Sequence, residues 1–272
     1  MTAEPVTVIK EPINPDRGKS GEIMQSRPKP LKWYRELAEK KGRLEAGAFI
    51  VEGDKAIRQV AAGHPEAILE ILAADELPSF FRDYPARLVT ASQFRYISSN
   101  QTPQGILAVV RLPDDIYTAR LPGDAGDKIL LLEDIQDPGN TGTLIRTAAA
   151  FGFSGVIMTE NGADPLSPKC VQATAGSVLS VWLRRIKDYL KLAEELKNQK
   201  YTLVAAELQG NIGPEVLRGR KKLLLALGNE AAGISRPLLD TADYCLRIPV
   251  DREKAESLNV AACGAILMYL SV

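Results

Sequence analysis

Polar side chains follow three short apolar runs in the second half of the chain. Those that could take part in chemistry are Asn140 and Arg146 after residues 129–132, Glu230 after residues 223–227, and Ser257 and Asn259 after residues 246–248. Ligands of parallel α/β sheets bind beyond the carboxyl ends of the strands. The three segments therefore predict one site that binds and orients a polar ligand.

Each of these residues also has a structural interpretation. Asn140 can cap the helix that follows it, and Glu230 can complement a helix dipole. Ser257 is a natural N-cap, and Asn259 can bond to nearby backbone. Spacing alone leaves both interpretations open.

Common catalytic fingerprints are missing from the sequence. No G-x-G-x-x-G follows a strand, and there is no phosphate-binding P-loop, H-E-x-x-H or G-x-S-x-G. One histidine, His64, excludes schemes that need two in a chain. Widely spaced Cys170, Cys245 and Cys263 predict neither disulfides nor a metal site, and favour the cytoplasm. No apolar run approaches the ~18 residues that span a bilayer, and no signal pattern opens the chain.

The elements that must position these residues alternate between strands and helices. In the second half we expect strands at residues 129–132, 155–158, 201–205, 223–227 and 246–248, and helices at residues 141–151, 190–197 and 257–270. Continuous apolar runs suit strands that are buried on both faces. The pattern predicts an α/β fold with a mostly parallel sheet.

The first half predicts a smaller α/β unit. We expect strands at residues 49–51, 68–72, 87–89 and 105–110, with helices at residues 31–46 and 53–60. Proline, glycine and aspartate accumulate after residue 112, which indicates a linker. The predicted organisation is a flexible tail (1–27), a small α/β unit (28–112), a linker (113–127) and a larger α/β domain (128–272).

Charge is unevenly distributed. The chain has 34 basic and 34 acidic residues, and zero net charge taken alone argues against a nucleic-acid partner. Between residues 27 and 43, however, seven basic residues face two acidic ones, with Trp33 and Tyr34 among them. The seven are Arg27, Lys29, Lys32, Arg35, Lys40, Lys41 and Arg43. Basic residues interleaved with aromatics suit RNA, although an exposed amphipathic helix with Trp33 in the core fits equally well.

Taken together, the motifs resemble a known family. Asn140 with Arg146, then residues 227–234, then Ile248-Pro249 with residues 257–260, are similar to the three motifs of the SpoU-type (TrmH-like) RNA 2′-O-ribose methyltransferases of the SPOUT superfamily. Residues 49–53 and 102–106 resemble the small substrate-binding domain that many members carry. The resemblance covers roughly residues 28–272.

The resemblance implies a fold, a cofactor and an assembly. It implies a trefoil-knotted catalytic domain whose knot near the C-terminus forms the S-adenosylmethionine (AdoMet) pocket. It also implies a homodimer with active sites near the interface, and a ribosomal-protein-like N-terminal domain. By the same resemblance, the residues that contact AdoMet are Leu227, Gly228, Asn229, Ile248, Pro249 and Leu258.

The family's reaction assigns roles to the polar residues. Arg146 matches the key arginine, which we expect to lower the pKa of the ribose hydroxyl, because a guanidinium is hard to deprotonate. We expect Asn140 to position the ribose or Arg146, and Glu230 to orient Arg146 or accept a hydroxyl hydrogen bond. Ser257 and Asn259 complete the polar rim. The loop after Pro249 lacks the family's usual glycine, and Ala261 replaces a frequent serine.

The resemblance also ranks the substrates. The appended N-terminal unit favours 23S rRNA, with the cytoplasm as the location. The alternatives are a tRNA methyltransferase, a non-catalytic RNA-binding or ribosome-assembly protein on the same scaffold, and an enzyme of antibiotic resistance.

Overall fold

A small sheet with four strands forms the first part of the structure. The computed structural model describes residues 29–251, 253–254 and 256–272. The strands of this sheet are β1 (Ala48–Glu52), β2 (Ile68–Ala74), β3 (Ala86–Val89) and β4 (Ile106–Arg111), and the helices beside it are α1 (Leu31–Glu36), α2 (Lys40–Ala46), α3 (Asp54–Gly63) and α4 (Ala91–Ile97). The order is β1-β4-β2-β3, with β4 antiparallel to both neighbours and β2 parallel to β3.

The first helical segment is broken in two. A single helix over residues 31–46 was expected, but α1 ends at Glu36 and α2 starts at Lys40. A methyl group on Gly42 would lie 2.0 Å from the carbonyl oxygen of Glu36. Glycine therefore allows α2 to fold back closely against the end of α1.

The second sheet has six strands and is parallel throughout. Its strands are β5 (Lys128–Leu132), β6 (Gly155–Thr159), β7 (Trp182–Ile186), β8 (Thr202–Ala206), β9 (Leu223–Leu227) and β10 (Tyr244–Leu246), and its helices are α5 (Pro138–Ala150), α6 (Pro168–Thr174), α7 (Tyr189–Asn198), α8 (Arg236–Thr241) and α9 (Val260–Leu270). The strand order is β10-β8-β9-β5-β6-β7. The predicted α/β class with a mostly parallel sheet is confirmed.

Both faces of this sheet are covered, which explains its continuous apolar strands. Leu130 packs on one face with Leu144 of α5 and Leu267 of α9. Leu131 points to the opposite face, where it packs with Leu192 of α7. Alternate side chains of one strand thus serve two cores.

Strand β7 was missed because it contains Arg184 and Arg185. The Arg184 side chain is only 2 % exposed, and it donates hydrogen bonds to the Asp115 carboxylate at 2.5 Å and the Arg120 carbonyl at 2.6 Å. These contacts satisfy a buried charge inside an otherwise apolar strand, and they hold residues 115–120 against the second sheet.

Two helix starts differ from the prediction. The N-cap of α9 is Asn259 and not Ser257, since the Asn259 Oδ1 accepts from the backbone N–H groups of Ala261 at 2.9 Å and Ala262 at 3.3 Å. The N-cap of α5 is Asp137 and not Asn140. Strand β10 ends at Leu246, so Ile248 and Pro249 lie in the loop beyond it.

Within the part of the chain that the structure describes, no helix has the length and apolarity needed to cross a membrane. The same residues hold no cluster of three or more potential metal ligands. All three cysteines are free thiols.

Candidate active site at the carboxyl edge of the second sheet

Side chains from the three sequence motifs meet beyond the carboxyl ends of the central strands. The Asn140 Nδ2 donates to Glu230 Oε1 at 3.0 Å, and the Asn259 Nδ2 donates to Asn140 Oδ1 at 3.1 Å. The backbone N–H of Gln136 donates to Glu230 Oε2 at 3.3 Å. Residues that are 90 and 119 positions apart in the chain thus form one polar network.

The start of α5 places Asn140 in this network. Pro138 occupies the first turn, and the Asp137 side chain accepts from the Asn140 N–H at 2.8 Å. The Lys169 ammonium lies 2.9 Å from Asp137 Oδ2. Lys169 and the Asn140 N–H together hold the pKa of Asp137 below its ordinary value, so the cap stays charged and the helix start stays formed.

Glu230 is ionised at neutral pH in this setting. Burial favours its neutral form, but hydrogen bonds from the Asn140 amide and from loop N–H groups outweigh burial, and the pKa of Glu230 lies below its ordinary value. The carboxylate therefore acts as a charged acceptor between two motifs.

A tight loop with two critical glycines follows β9; we call residues 228–235 the glycine loop. Asn229 and Gly233 exchange backbone hydrogen bonds of 3.0 and 2.9 Å, and Gly233 has φ of 72°. A methyl group on Gly228 would lie 2.4 Å from the carbonyl carbon of Gly233. Only glycine lets the two arms of this loop approach so closely.

A cleft of about 370 Å³ opens beside the glycine loop. Its walls come from the loops after β8, β9 and β10 and from the start of α9. Of the six residues expected to contact AdoMet, the lining includes Leu227, Gly228, Asn229, Ile248 and Leu258. Pro249 is not among the lining residues, although Ile248 and Val250 on either side of it are.

The residues of this cleft fit AdoMet. Small-molecule sites usually measure about 300–1,000 Å³ and combine apolar walls with a few polar groups. Here apolar Leu246, Ile248 and Val260 suit the adenine ring, and the closely packed Gly228 exposes backbone groups. Ser257, Asn259 and Glu230 lie on the same lining, so the polar network borders the space that the cofactor would fill.

Glu207 and Cys263 are among the lining residues that were not anticipated from the sequence. Glu207, just after β8, is half-buried and no hydrogen bond holds its carboxylate among the described residues. Burial raises the pKa of the Cys263 thiol to about 11. The position of Glu207 directly after an apolar strand was the available signal.

Arg146 lies apart from this network. It is on α5, six positions after Asn140, which turns its side chain about 120° away around the helix. The guanidinium is exposed, and among the described residues it has no hydrogen-bond or ion-pair partner and does not line the cleft. Its predicted role in chemistry stays a prediction.

A second cleft of about 500 Å³ shares Asn229, Ala232 and Gly233 with the first, so the glycine loop is a wall of both. Glu133, Tyr189 and Ser235 line it, and sequence reasoning missed all three. Burial and the hydrogen bond to Glu133 raise the pKa of Tyr189 to about 12.

Most of the predicted RNA-binding residues are exposed to solvent. Lys32 and Lys41 are 79 % and 85 % exposed, Arg35 stacks over Tyr96 at 4.8 Å, and Lys40 lies 4.9 Å from the Tyr117 ring centre. Lys29 is also exposed, whereas Arg27 lies outside the described residues.

Arg43 corrects the prediction for this segment. Its side chain is 2 % exposed, and it binds Asp164 at 2.5 Å and the carbonyl oxygens of Leu37 and Ala38. A guanidinium buried in this way cannot reach an RNA phosphate. Arg43 therefore joins α2 to the loop after β6 instead of binding RNA.

Known proteins match almost the whole described chain. The SpoU rRNA methylase family matches residues 127–269, and the MRM3-like substrate-binding domain matches residues 29–108. The Bacillus subtilis 23S rRNA (guanosine(2553)-2′-O)-methyltransferase RlmP is 32 % identical over 91 % of this chain and 98 % of its own. The Streptomyces viridochromogenes 23S rRNA (uridine(2479)-2′-O)-methyltransferase is 29 % identical over 88 % of each chain.

Solved structures agree with the sequence matches. The S. viridochromogenes SpoU methyltransferase AviRb, in complex with AdoMet, superposes with a TM-score of 0.77 at 25 % identity, over 89 % of this chain and 96 % of its own. A TrmH-family RNA methyltransferase from Porphyromonas gingivalis gives 0.75 at 31 % identity over the same shares. The chain belongs to the SpoU rRNA methylase family, and the expectation of an AdoMet-dependent RNA 2′-O-methyltransferase is confirmed.

Proposed function

We propose that this chain transfers the methyl group of AdoMet to a ribose 2′-hydroxyl of 23S rRNA in the cytoplasm. The observation that carries the proposal is the Asn259–Asn140–Glu230 network on the border of the cleft that fits AdoMet. The two rRNA methyltransferases that match along most of their length support the substrate class.

The division of work among the residues follows from their positions. The five predicted cofactor residues that line the cleft hold AdoMet there, and bound AdoMet supplies an electrophilic methyl group. Asn140 and Glu230 orient the ribose, while Ser257 and Asn259 close the polar rim. Catalysis of this kind depends on alignment and on stabilising charge that develops on the attacking oxygen.

Arg146 supplies positive charge near the 2′-hydroxyl in this proposal. Its guanidinium lowers the pKa of the hydroxyl and binds the adjacent phosphate, and the proton leaves to phosphate or water. An exposed arginine that has no hydrogen-bond or ion-pair partner among the described residues can approach RNA at little desolvation cost.

The proposal includes a homodimer formed through α9. Ala262, Ile266 and Tyr269 form an exposed stripe on this otherwise buried helix, and Val272 beyond its end is 67 % exposed. Tyr269 contacts Phe151 at the end of α5, the helix that carries Arg146. We expect Ile266→Glu to convert a dimer to a monomer in light scattering and to abolish methyl transfer; a wild-type monomer contradicts this assembly.

The proposal also includes the trefoil knot near the C-terminus, which membership of the SpoU family supports. It includes two domains with boundaries at residues 112 and 127, supported by the separate family matches to residues 29–108 and 127–269. The predicted flexible tail, residues 1–27, lies outside the described residues. An experimental structure with AdoMet, traced through residues 223–272, tests the knot.

One assay tests the substrate. The protein is incubated with methyl-labelled AdoMet and with purified 23S rRNA, 16S rRNA or tRNA, and the modified ribose is mapped. We expect label in 23S rRNA alone, and labelling at least about a hundredfold slower with Arg146→Ala. Label in tRNA alone contradicts the substrate, and AdoMet binding without transfer to any RNA supports a non-catalytic protein.

A further inference from the structure

Glu133 directly follows β5, and it holds the far end of the glycine loop. Its Oε2 accepts from the Ser235 N–H at 2.7 Å, and its Oε1 accepts from the Ser235 hydroxyl at 2.6 Å and from the Tyr189 hydroxyl. One carboxylate thus fixes both the backbone and the side chain of Ser235.

The neighbouring Asp134 holds the near end of the same loop. Its carbonyl oxygen accepts from the Asn229 Nδ2 at 2.8 Å. Asp134 has φ of 56°, a left-handed conformation that non-glycine residues rarely adopt. The Thr159 hydroxyl stabilises it by bonding both its backbone N–H, at 2.8 Å, and its carboxylate. The Glu133–Asp134 pair therefore anchors the loop at both ends.

The loop between these anchors has little packing of its own. Glu230, Ala231 and Ala232 are exposed, and only Ile234 is buried. The position of the cofactor wall therefore depends mainly on hydrogen bonds, at its two ends and at Glu230, and not on buried side chains.

Because Glu133 is buried, its carboxylate needs hydrogen-bond donors from the protein. The residue is only 4 % exposed, and among the described residues it forms no ion pair with a basic side chain. A buried carboxylate without hydrogen-bond donors is strongly unfavourable. Its donors come from Ser235 and Tyr189, so moving the glycine loop away would leave the charge unsatisfied.

We propose that Glu133, through Ser235 and with support from Tyr189, is a positioning residue that holds the glycine loop in the conformation that receives AdoMet. This inference rests on the proposed function, because it assigns the first cleft to AdoMet. Glu133 itself lines only the second cleft and acts on the first through the loop.

AdoMet affinity, measured by isothermal titration calorimetry on the full chain, tests the inference. Glu133→Ala loses all three hydrogen bonds of the carboxylate and should raise the AdoMet Kd by about tenfold or more. Glu133→Gln can still accept from the Ser235 N–H and bond to the two hydroxyls, and should stay within about threefold of wild type. At saturating AdoMet, kcat of both variants should remain close to wild type.

Two milder variants test the inference even if Glu133→Ala does not fold. Ser235→Ala and Tyr189→Phe keep the carboxylate and each remove one hydroxyl; we expect Kd to rise by about three- to tenfold for one lost hydrogen bond. Tyr201→Phe is the matched control, because its hydroxyl also bonds within the second sheet, to the Gly126 carbonyl before β5. This control should lower the melting temperature without changing Kd.

The outcomes separate the inference from the proposed function. Unchanged AdoMet affinity in folded Glu133→Ala, Ser235→Ala and Tyr189→Phe overturns the positioning role. A Glu133→Gln variant that is folded but binds as weakly as Glu133→Ala also overturns it. Failure of the wild type to bind AdoMet instead overturns the proposed function.

Discussion

The carboxyl edge of the second sheet and the basic segment at residues 29–43 use polar residues in opposite ways. At the sheet edge, Asn140, Glu230 and Asn259 bond to one another across distant parts of the chain. In the basic segment, Lys32 and Lys41 form exposed ion pairs with acidic residues four positions away, at 3.6 and 3.8 Å. The first region is organised before a ligand arrives, whereas the second keeps its charges in water, available for phosphate.

The difference predicts two kinds of response to substitution. A change at the organised edge should alter one step of catalysis or binding sharply. A change in the solvated segment should weaken RNA binding gradually and in a salt-dependent manner. Arg146 and Arg43 are the strongest tests of the comparison, because Arg146 is exposed outside the polar network and Arg43 is buried within the basic segment.

The largest effect is expected for Arg146→Ala. Removing a charge that stabilises the reacting oxygen costs about 10²–10³-fold in kcat, whereas AdoMet affinity should not change, because Arg146 does not line the cleft. Single-turnover kinetics and calorimetry measure the two quantities. Arg236→Ala, on an 83 % exposed arginine of α8, is the control. Wild-type turnover in Arg146→Ala would remove this residue from the mechanism.

Arg43→Ala should mainly affect folding. Breaking a buried ion pair costs about 3–5 kcal/mol, so the free energy of unfolding in urea should fall by about that amount. The exposed Lys41–Glu45 pair gives the contrast, since Lys41→Ala should leave stability almost unchanged. If Arg43→Ala were as stable as wild type but bound RNA less well, the assignment of Arg43 to the interior would be wrong.

Substitutions of Asn259 can separate its two contacts. Asn259→Asp keeps the acceptor that caps α9 but loses the amide that donates to Asn140, so stability should persist while kcat falls by about tenfold, equivalent to about 1.4 kcal/mol. Asn259→Ala should lose turnover and, in addition, about 1 kcal/mol of stability from the cap. Equal turnover in Asn259→Asp and wild type would leave the cap as the residue's only role.

The smallest effect is expected for Lys32→Ala combined with Lys41→Ala. Each lost phosphate contact should reduce the slope of log affinity against log salt by about 0.7–0.9, with only a modest loss of affinity at any one salt concentration. Lys191→Ala on α7 is the matched control, because Lys191 and Lys32 are both 79 % exposed. An unchanged slope in the double variant would show that RNA does not contact this segment.

Apolar runs predicted the strands well, because burial on both faces imposes a clear pattern. Residues 223–227 were predicted as a strand and are β9. Strand β7 was not predicted, because it contains the charged Arg184. The partners that satisfy it, Asp115 and the Arg120 carbonyl, cannot be inferred from local sequence. The same limit applies to Arg43, which looks like any other basic residue until Asp164 is brought beside it.

Several residues of the candidate site could be predicted from the sequence, but the hydrogen bonds that hold them could not. Motif order placed Asn140, Glu230 and Asn259 at one edge, and the structural interpretation of Asn259 was correct as well, since it caps α9. That Glu133 anchors the glycine loop depends on Ser235 and Tyr189, which lie 102 and 56 positions away. Side-chain pairing over such separations follows from the fold and not from any local signal.

The long separations within the polar network have a consequence for how the protein folds. The Asn140–Glu230 and Asn140–Asn259 contacts close loops of 90 and 119 residues. Such contacts form late, because their loop-closure entropy must first be offset by assembly of the sheet. Methyl transfer should therefore appear only with the last step of refolding, and a nascent chain that has not yet delivered α9 is inactive.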